Sequence, residues 1–179
     1  VNELLSGAVL SREEIERLVA SERPLVRDFA DLGQQLQPNG FDLTLAAIER
    51  HSGAGTIGID NADRVLPNLT ELSPDDKGFF QLQPGPYHIT YAETVALPED
   101  LMALGRPRSS LTRSGVAIHT AVWDAGYEGR STSLLVVNNP AGFRVQLGAR
   151  VAQLVFVRLS AATEQGYAGV YQGENQPNR

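Results

Sequence analysis

The chain has 179 residues, a net charge of −6 and no cysteine, with 42% hydrophobic and 20% charged residues. These are globular values that fit one domain, and they exclude disulfides, zinc–thiolate sites, iron–sulfur clusters and thiol nucleophiles. The acidic balance argues against a nucleic-acid polymer as the main partner, while a single nucleotide needs only a local basic pocket.

No apolar stretch approaches a membrane span, and the first twenty residues carry Glu3, Glu13, Glu14 and Glu16 where a secretory leader would be basic and apolar. The expectation is a cytoplasmic protein with no membrane partner. Lysine occurs once, as Lys77 in the acidic turn Pro74-Asp75-Asp76-Lys77-Gly78, so a Walker-type loop or Schiff-base chemistry would rest on that residue. The other basic residues are arginines, whose planar fork suits phosphate and carboxylate.

In chain order, Ser11 with Glu14 three residues on forms a capping-box pattern, and Ile15, Leu18 and Val19 follow at helical spacing. Ser21-Glu22-Arg23-Pro24 ends that helix. After residue 36, short β-branched and aromatic runs alternate with Gly, Pro, Asn and Asp clusters. Residues 41–48, 79–82, 87–91, 94–97, 116–122, 133–137 and 151–159 read as strands. Gln83-Pro84-Gly85-Pro86, Asn138-Asn139-Pro140-Ala141-Gly142 and Gln146-Leu147-Gly148 read as turns. Residues 51–78 look like an insertion or a pair of loose hairpins. The polar tail 165–179 reads as mobile unless something docks it. Many short strands with frequent turns predict a mainly β sandwich or barrel-like fold behind one short N-terminal helix.

Four polar clusters interrupt this pattern. Asp42 stands on an otherwise apolar strand in Asn39-Gly40-Phe41-Asp42-Leu43, where a carboxylate is either paired or functional. Gly105-Arg106-Pro107-Arg108-Ser109-Ser110-Leu111-Thr112-Arg113 holds three arginines and three hydroxyls. It is either an anion site, in which guanidinium forks and hydroxyls satisfy phosphate oxygens, or a solvated charged turn. In Thr120-Ala121-Val122-Trp123-Asp124-Ala125-Gly126-Tyr127-Glu128-Gly129, Asp124 either holds a water or sugar hydroxyl or caps its own turn, and Tyr127 either stacks on a ligand or joins the core. Gly148-Ala149-Arg150-Val151-Ala152-Gln153-Leu154 puts Gln153 at the head of an apolar strand. His51, His88 and His119 show no metal-ligand spacing, and of these only His119 lies near the clusters.

Taken in order, these segments resemble the superfamily of trimeric dUTP hydrolases (dUTPases) and dCTP deaminases, over nearly the whole chain. Gln37-Pro38-Asn39-Gly40-Phe41-Asp42-Leu43 is similar to the first motif. Arg108-Ser109-Ser110-Leu111-Thr112-Arg113 is similar to the second, in the form of deaminases and archaeal-type dUTPases. Asp124-Ala125-Gly126-Tyr127-Glu128-Gly129 is similar to the third, Gly148 through Leu154 to the fourth, and Tyr171-Gln172-Gly173 to the C-terminal lid motif. The resemblance implies a distorted jelly-roll subunit of residues 1–179, a homotrimer with active sites between subunits, and residues 165–179 as a lid.

The deaminases of this superfamily place a glutamate in the strand after the third motif, three residues before an asparagine. Counting back from Asn138 gives Leu135, and counting forward from Gly129 gives Leu134, so neither count finds a carboxylate. Leucine cannot carry the proton that deamination at cytosine C4 needs. The resemblance therefore implies a dUTP diphosphatase that releases dUMP and pyrophosphate. Asp124 would polarise the attacking water, Gln153 would contact phosphate or water, and Asp42 would support the site. Arg108, Ser109, Ser110, Arg113, His119, Ala121, Tyr127, Tyr171 and Gln172 would bind substrate, with Tyr127 under the deoxyribose. Mg2+ would be held through the triphosphate and not by protein ligands. A dCTP deaminase or bifunctional enzyme, and a trimeric nucleotide-binding module with little catalysis, are the alternatives. The lid departs from the deaminase pattern at Val170 and Glu174, where lysine and glutamine are common, and Arg179 is a candidate for the missing charge.

Overall fold

A computed structural model describes residues 7–176. Arg179 and the rest of residues 177–179 lie outside the described residues. The capping box forms as the spacing predicts: the Ser11 hydroxyl accepts from the Glu14 N–H, and the Glu14 carboxylate accepts from the Ser11 N–H. Helix α1 (Arg12–Val19) buries Ile15 and Val19 against the sheet. Such apolar anchors contribute about 1.5–3 kcal/mol each, more than the cap itself.

The chain then runs through β1 (Val26–Arg27), α2 (Leu32–Gln35), β2 (Leu36–Gln37) and the long β3 (Gly40–Ser52). A short 3-10 turn (Asn61–Asp63) leads to β4 (Asn68–Glu71), β5 (Phe79–Leu82), β6 (Gly85–Tyr91), β7 (Thr94–Ala96) and β8 (Leu101–Pro107). After α3 (Ser109–Arg113) come β9 (Val116–His119), β10 (Val122–Trp123), β11 (Glu128–Gly129), β12 (Thr132–Val137), β13 (Phe143–Gln146) and β14 (Arg150–Arg158).

The fold is mainly β, and its largest sheet curls into a half-barrel. Strand order in that sheet is β10-β8-β14-β3-β6-β12-β9, with β2 and β4 also paired to β3. Two small sheets, β1-β7-β11 and β13-β5, accompany it. Alternation explains the inner face: Tyr87, Ile89 and Tyr91 on β6 and Ser133, Leu135 and Val137 on β12 are buried. No helix among the described residues is long and apolar enough to cross a membrane.

The structure departs from the sequence reading in three places. The run 116–122 is two strands, because β9 pairs with β12 while β10 crosses to pair with β8. The arginine cluster begins on a strand, since Leu101, Ala103 and Gly105 are buried along β8 before α3 starts. Residues 51–78 form one arm: β3 continues to Ser52, β4 pairs back onto it, and a bridge joins Thr56 to Val65.

Strand β3 belongs to both halves of the curl. Phe41 to Thr44 pair with β14, and Leu45 to Glu49 pair with β6, with a register shift between Leu45 and Ala47. Glu93, fully buried, sits at that change of partner. Its carboxylate accepts from the Thr44 N–H at 2.9 Å, the Thr44 hydroxyl at 2.6 Å and Gln35 Nε2 at 2.7 Å. Gln35 Nε2 also donates to the Asp42 carbonyl at 2.9 Å, and Gln35 Oε1 accepts from the Ala30 and Asp31 N–H groups. Burial pushes the Glu93 carboxyl above the usual carboxylate range, against the pull of the Thr44 and Gln35 donors.

Glu93→Gln replaces one acceptor by an amide donor where every partner donates. A buried donor left facing a donor costs about 1–3 kcal/mol. The variant is expected to melt several degrees below the wild type at neutral pH, as read by thermal unfolding, and an unchanged melting temperature would contradict this account of β3.

Candidate functional site

Two clefts collect most of the polar clusters seen in the sequence. The first, of about 550 Å³, is lined by Gln37, Asp42, Pro107, Arg108, Ser109, Thr112, Arg113 and Gln153. Four elements meet there. Strand β2 brings Gln37, β3 brings Asp42, α3 and its N-cap bring Arg108 to Arg113, and β14 brings Gln153. Gly40 is required by this meeting, because a Cβ on it would lie 2.3 Å from the Leu154 carbonyl and 2.8 Å from Gln153 Nε2. Bare backbone at that position lets β14 approach and seats Gln153 beside Asp42, its register partner.

Asp42 is paired. Its Oδ2 lies 3.1 Å from Arg108 Nε and accepts from Arg150 Nη1 at 3.4 Å. Burial pushes the Asp42 carboxyl up, and the two guanidinium groups pull it back without cancelling that effect. Asp42 is buried while both arginines are partly exposed. The arrangement is a charge-fixed guanidinium at the mouth of a cleft that also offers hydroxyls and an amide, a suitable donor set for an anion. The sequence reading took Gln153 from the fourth motif and passed over Arg150. A register shift between Arg150 and Ala152 turns Arg150 toward Asp42.

The second cleft, of about 500 Å³, is more apolar. Ala121, Val122, Trp123, Asp124, Tyr127 and Thr132 line it from the hairpin region, His51, His88, Leu66, Pro67 and Leu69 from β3, β6 and the arm, and Tyr167, Tyr171 and Glu174 from the tail. Asp124 is exposed at its edge, whereas Tyr127 is 5% exposed and forms part of the wall. The Trp123 indole donates to the Ser131 hydroxyl at 2.8 Å, which satisfies its one polar atom. His88 Nδ1 pairs with Glu49 Oε2 at 2.9 Å. Burial and the adjacent Glu174 carboxylate push the Tyr127 phenol far above its usual range, so the hydroxyl is a donor. Burial likewise pushes the Glu174 carboxyl up, with Tyr127 and His88 opposing.

Of the expected site residues, Asp42, Gln153, Arg108, Ser109 and Arg113 share the first cleft, and Ala121, Asp124, Tyr127 and Tyr171 share the second. No residue lines both. Ser110 is exposed on α3 and lines neither. His119 is exposed on β9 opposite Leu134 and also lines neither. Gln172 lies on a third groove, with Arg27 and Glu128. The tail is not loose in this structure: residues 167–176 run along residues 125–130 of the same chain.

Strand β12 settles which leucine occupies the outward position after the third motif. Leu135 is fully buried in the core, and Leu134 faces outward between its register partners His88 and His119. Glu128, the nearest carboxylate in sequence, is paired with Arg27 and opens on the third groove. It does not line the cleft that holds Asp124.

Residues 9–159 match the family described as dCTP deaminase-like. The chain is 45% identical over 168 residues to a protein of Methanosarcina mazei named probable deoxyuridine 5'-triphosphate nucleotidohydrolase, covering 94% of this chain and 98% of that one. A protein of the same name from Archaeoglobus fulgidus is 49% identical over 168 residues, with the same coverage of 94% and 98%. Among solved structures, the 2'-deoxycytidine 5'-triphosphate deaminase of Agrobacterium tumefaciens superimposes with a TM-score of 0.64 at 24% identity. That alignment covers 86% of this chain and 49% of the other, so the chain spans about half the length of that deaminase.

Gly40→Ala tests how the first cleft is assembled. The added methyl group meets backbone at 2.3 Å, so β14 has to shift. Overpacking of this kind costs about 1–3 kcal/mol. The variant is expected to melt lower and to lose inorganic pyrophosphate binding measured by calorimetry. Wild-type values for both would show that Gly40 is not needed for the cleft.

Proposed function

The chain belongs to the dCTP deaminase-like family, and we propose that within it this enzyme hydrolyses dUTP to dUMP and pyrophosphate. Near-full-length relatives at 45% and 49% identity carry the name of that activity. The observation that carries the choice between hydrolysis and deamination is β12. The two positions to which the counts lead, core-facing Leu135 and outward-facing Leu134, are both leucine, so neither offers a carboxylate to move a proton at cytosine C4.

In this reading a water attacks the α-phosphorus in line with the departing pyrophosphate. Asp124, exposed at the rim of the apolar cleft, accepts a hydrogen bond from that water and takes its proton as the P–O bond forms. Arg108, Ser109, Arg113 and Gln153 hold phosphate oxygens and meet the charge that accumulates on the pyrophosphate. Asp42 and its ion pair fix Arg108 before substrate arrives, so little reorganisation remains at the transition state. Tyr127 forms the wall against which the deoxyribose packs, and Tyr171 covers the nucleoside end.

Among the described residues the two clefts of one chain share no lining residue, and a nucleotide needs both. The anion cleft of one copy and the nucleoside cleft of its neighbour would together supply a complete site, which a homotrimer would provide three times. The anion cleft holds one carboxylate, Asp42, and that is already between two arginines. Among the described residues no group of three or more His, Asp or Glu could hold a metal ion. This donor set fits a magnesium ion carried in by the triphosphate as part of the substrate.

Asp124→Asn keeps the shape and loses the charge. Hydrolysis of dUTP, followed by chromatography of dUMP, is expected to fall at least about a hundredfold, the lower end for a general-base contribution, while dUTP still binds. Near-normal turnover would remove Asp124 from this role. With dCTP and magnesium the expected products include neither dUTP nor ammonia, and either one above a no-enzyme control would overturn the assignment based on β12.

A further inference from the structure

The tail makes a ladder with its own chain. The Tyr167 N–H donates to the Ala125 carbonyl at 2.7 Å, the Gly173 N–H to the Glu128 carbonyl at 2.7 Å, and the Arg130 N–H to the Glu174 carbonyl at 2.9 Å. Gln172 doubles the ladder, accepting from the Glu128 N–H and donating to the Gly126 carbonyl, both at 3.0 Å. This register sends the Glu174 side chain toward the second cleft, where its Oε1 accepts from the Tyr127 hydroxyl at 2.9 Å. Gly129 leaves the room for the pair, since a Cβ there would lie 2.6 Å from the Tyr127 hydroxyl and 3.2 Å from Glu174 Cγ. The Tyr167 ring meets the Tyr127 ring edge-on at 5.7 Å.

A carboxylate close to a triphosphate would repel it, yet Glu174 does not line the arginine cleft of its own chain. It lines the nucleoside cleft. We propose that Glu174 is a positioning residue for sugar selection: it fixes the Tyr127 phenol, and so the wall of the cleft, in the place that leaves no room for a 2'-hydroxyl. The phenol is nearly buried, and its hydroxyl needs an acceptor there. With Glu174 as acceptor and Tyr167 at its edge, the ring is held at the hydroxyl and on one flank. Without Glu174 the hydroxyl is left to the Ser131 side chain, which already accepts from the Trp123 indole, so the ring tilts toward Ser131 and the space a ribose needs opens. This inference rests on the proposed action on dUTP only for the place of the sugar, because the pair itself is visible in the chain.

The test compares the wild type with Glu174→Ala, Glu174→Gln, Tyr127→Phe and the double variant Glu174→Ala/Tyr127→Phe. The readouts are kcat/KM for dUTP and UTP, calorimetric affinities for dUMP and UMP, hydrogen exchange at the Arg130 and Gly173 amides, and melting temperature. Glu174→Ala is expected to lower the deoxyribose-to-ribose preference at least about tenfold, the range in which a remodelled pocket discriminates one small group. Exchange at both amides should quicken. Glu174→Gln retains an acceptor oxygen and should stay within about threefold of the wild type. Tyr127→Phe should lose as much preference as Glu174→Ala, and the double variant no more than either. Unchanged preference in Glu174→Ala would overturn the inference, as would equal losses in the Ala and Gln variants that follow their melting temperatures. A wild type that binds dUMP over UMP without hydrolysing dUTP would sink the proposed reaction and leave the affinities to decide the role of Glu174. A wild type that binds neither would overturn both.

Discussion

A carboxylate without access to water governs where the longest strand changes partners. Glu93 takes the Thr44 N–H and hydroxyl on one side and the Gln35 amide on the other, and Gln35 holds the Asp42 carbonyl with the same nitrogen. Burying a carboxylate costs several kcal/mol unless donors replace its water. Here three donors do so, and each comes from a segment whose position matters. Helix α2 with Gln35, the switch point of β3 and the corner between β6 and β7 are locked to one another. Asp42 stands two residues before the switch, so its side chain leaves β3 toward the arginines. Arg108 and Arg150 then meet at Asp42 from the N-cap of α3 and from β14. The anion cleft is therefore a consequence of a core polar network and is largely built before any ligand is present.

Local signals in the sequence carried much of this architecture. Ser11 and Glu14 marked the first helix because a capping box is complete within four residues. Strands such as β5 and β12 alternate clearly, and their ends were legible to within a residue or two. Strand β8 was not legible, because Leu104 faces outward and breaks the expected alternation of polar with apolar. The break between β9 and β10 was equally hidden, since Val116 to Val122 is one β-rich run and only pairing with different neighbours divides it.

Site residues divide along the same line. Asp42, Asp124, Tyr127, Arg108 and Gln153 stood out as candidates because each sits in a compact motif, and the fold places them on the two clefts. Glu93 was missed because its meaning depends on Gln35 and Thr44, which lie 58 and 49 positions away. Arg150 was missed because a one-residue irregularity in β14 decides which way it turns. The tail was read as loose from its polar composition, which takes no account of a ladder built from backbone groups and one glutamine. His119 looked close to the site along the chain, but β9 carries it to an exposed position outside both clefts. An overall charge of −6 also hides the local picture, in which arginines gather around one buried aspartate and the acidic tail residue stands in the other cleft.

Tryptophan occurs once in the sequence, and the fold places Trp123 at the back of the apolar cleft, 4% exposed. Its indole N–H is bonded to Ser131, and the Tyr91 ring lies 6.5 Å away. Fluorescence excited at the red edge of tryptophan absorption therefore comes from one residue per subunit, shielded from solvent and fixed in orientation. In the proposed site a nucleoside in this cleft would lie against the one indole of the chain, so a change in emission would report on the cleft without a label.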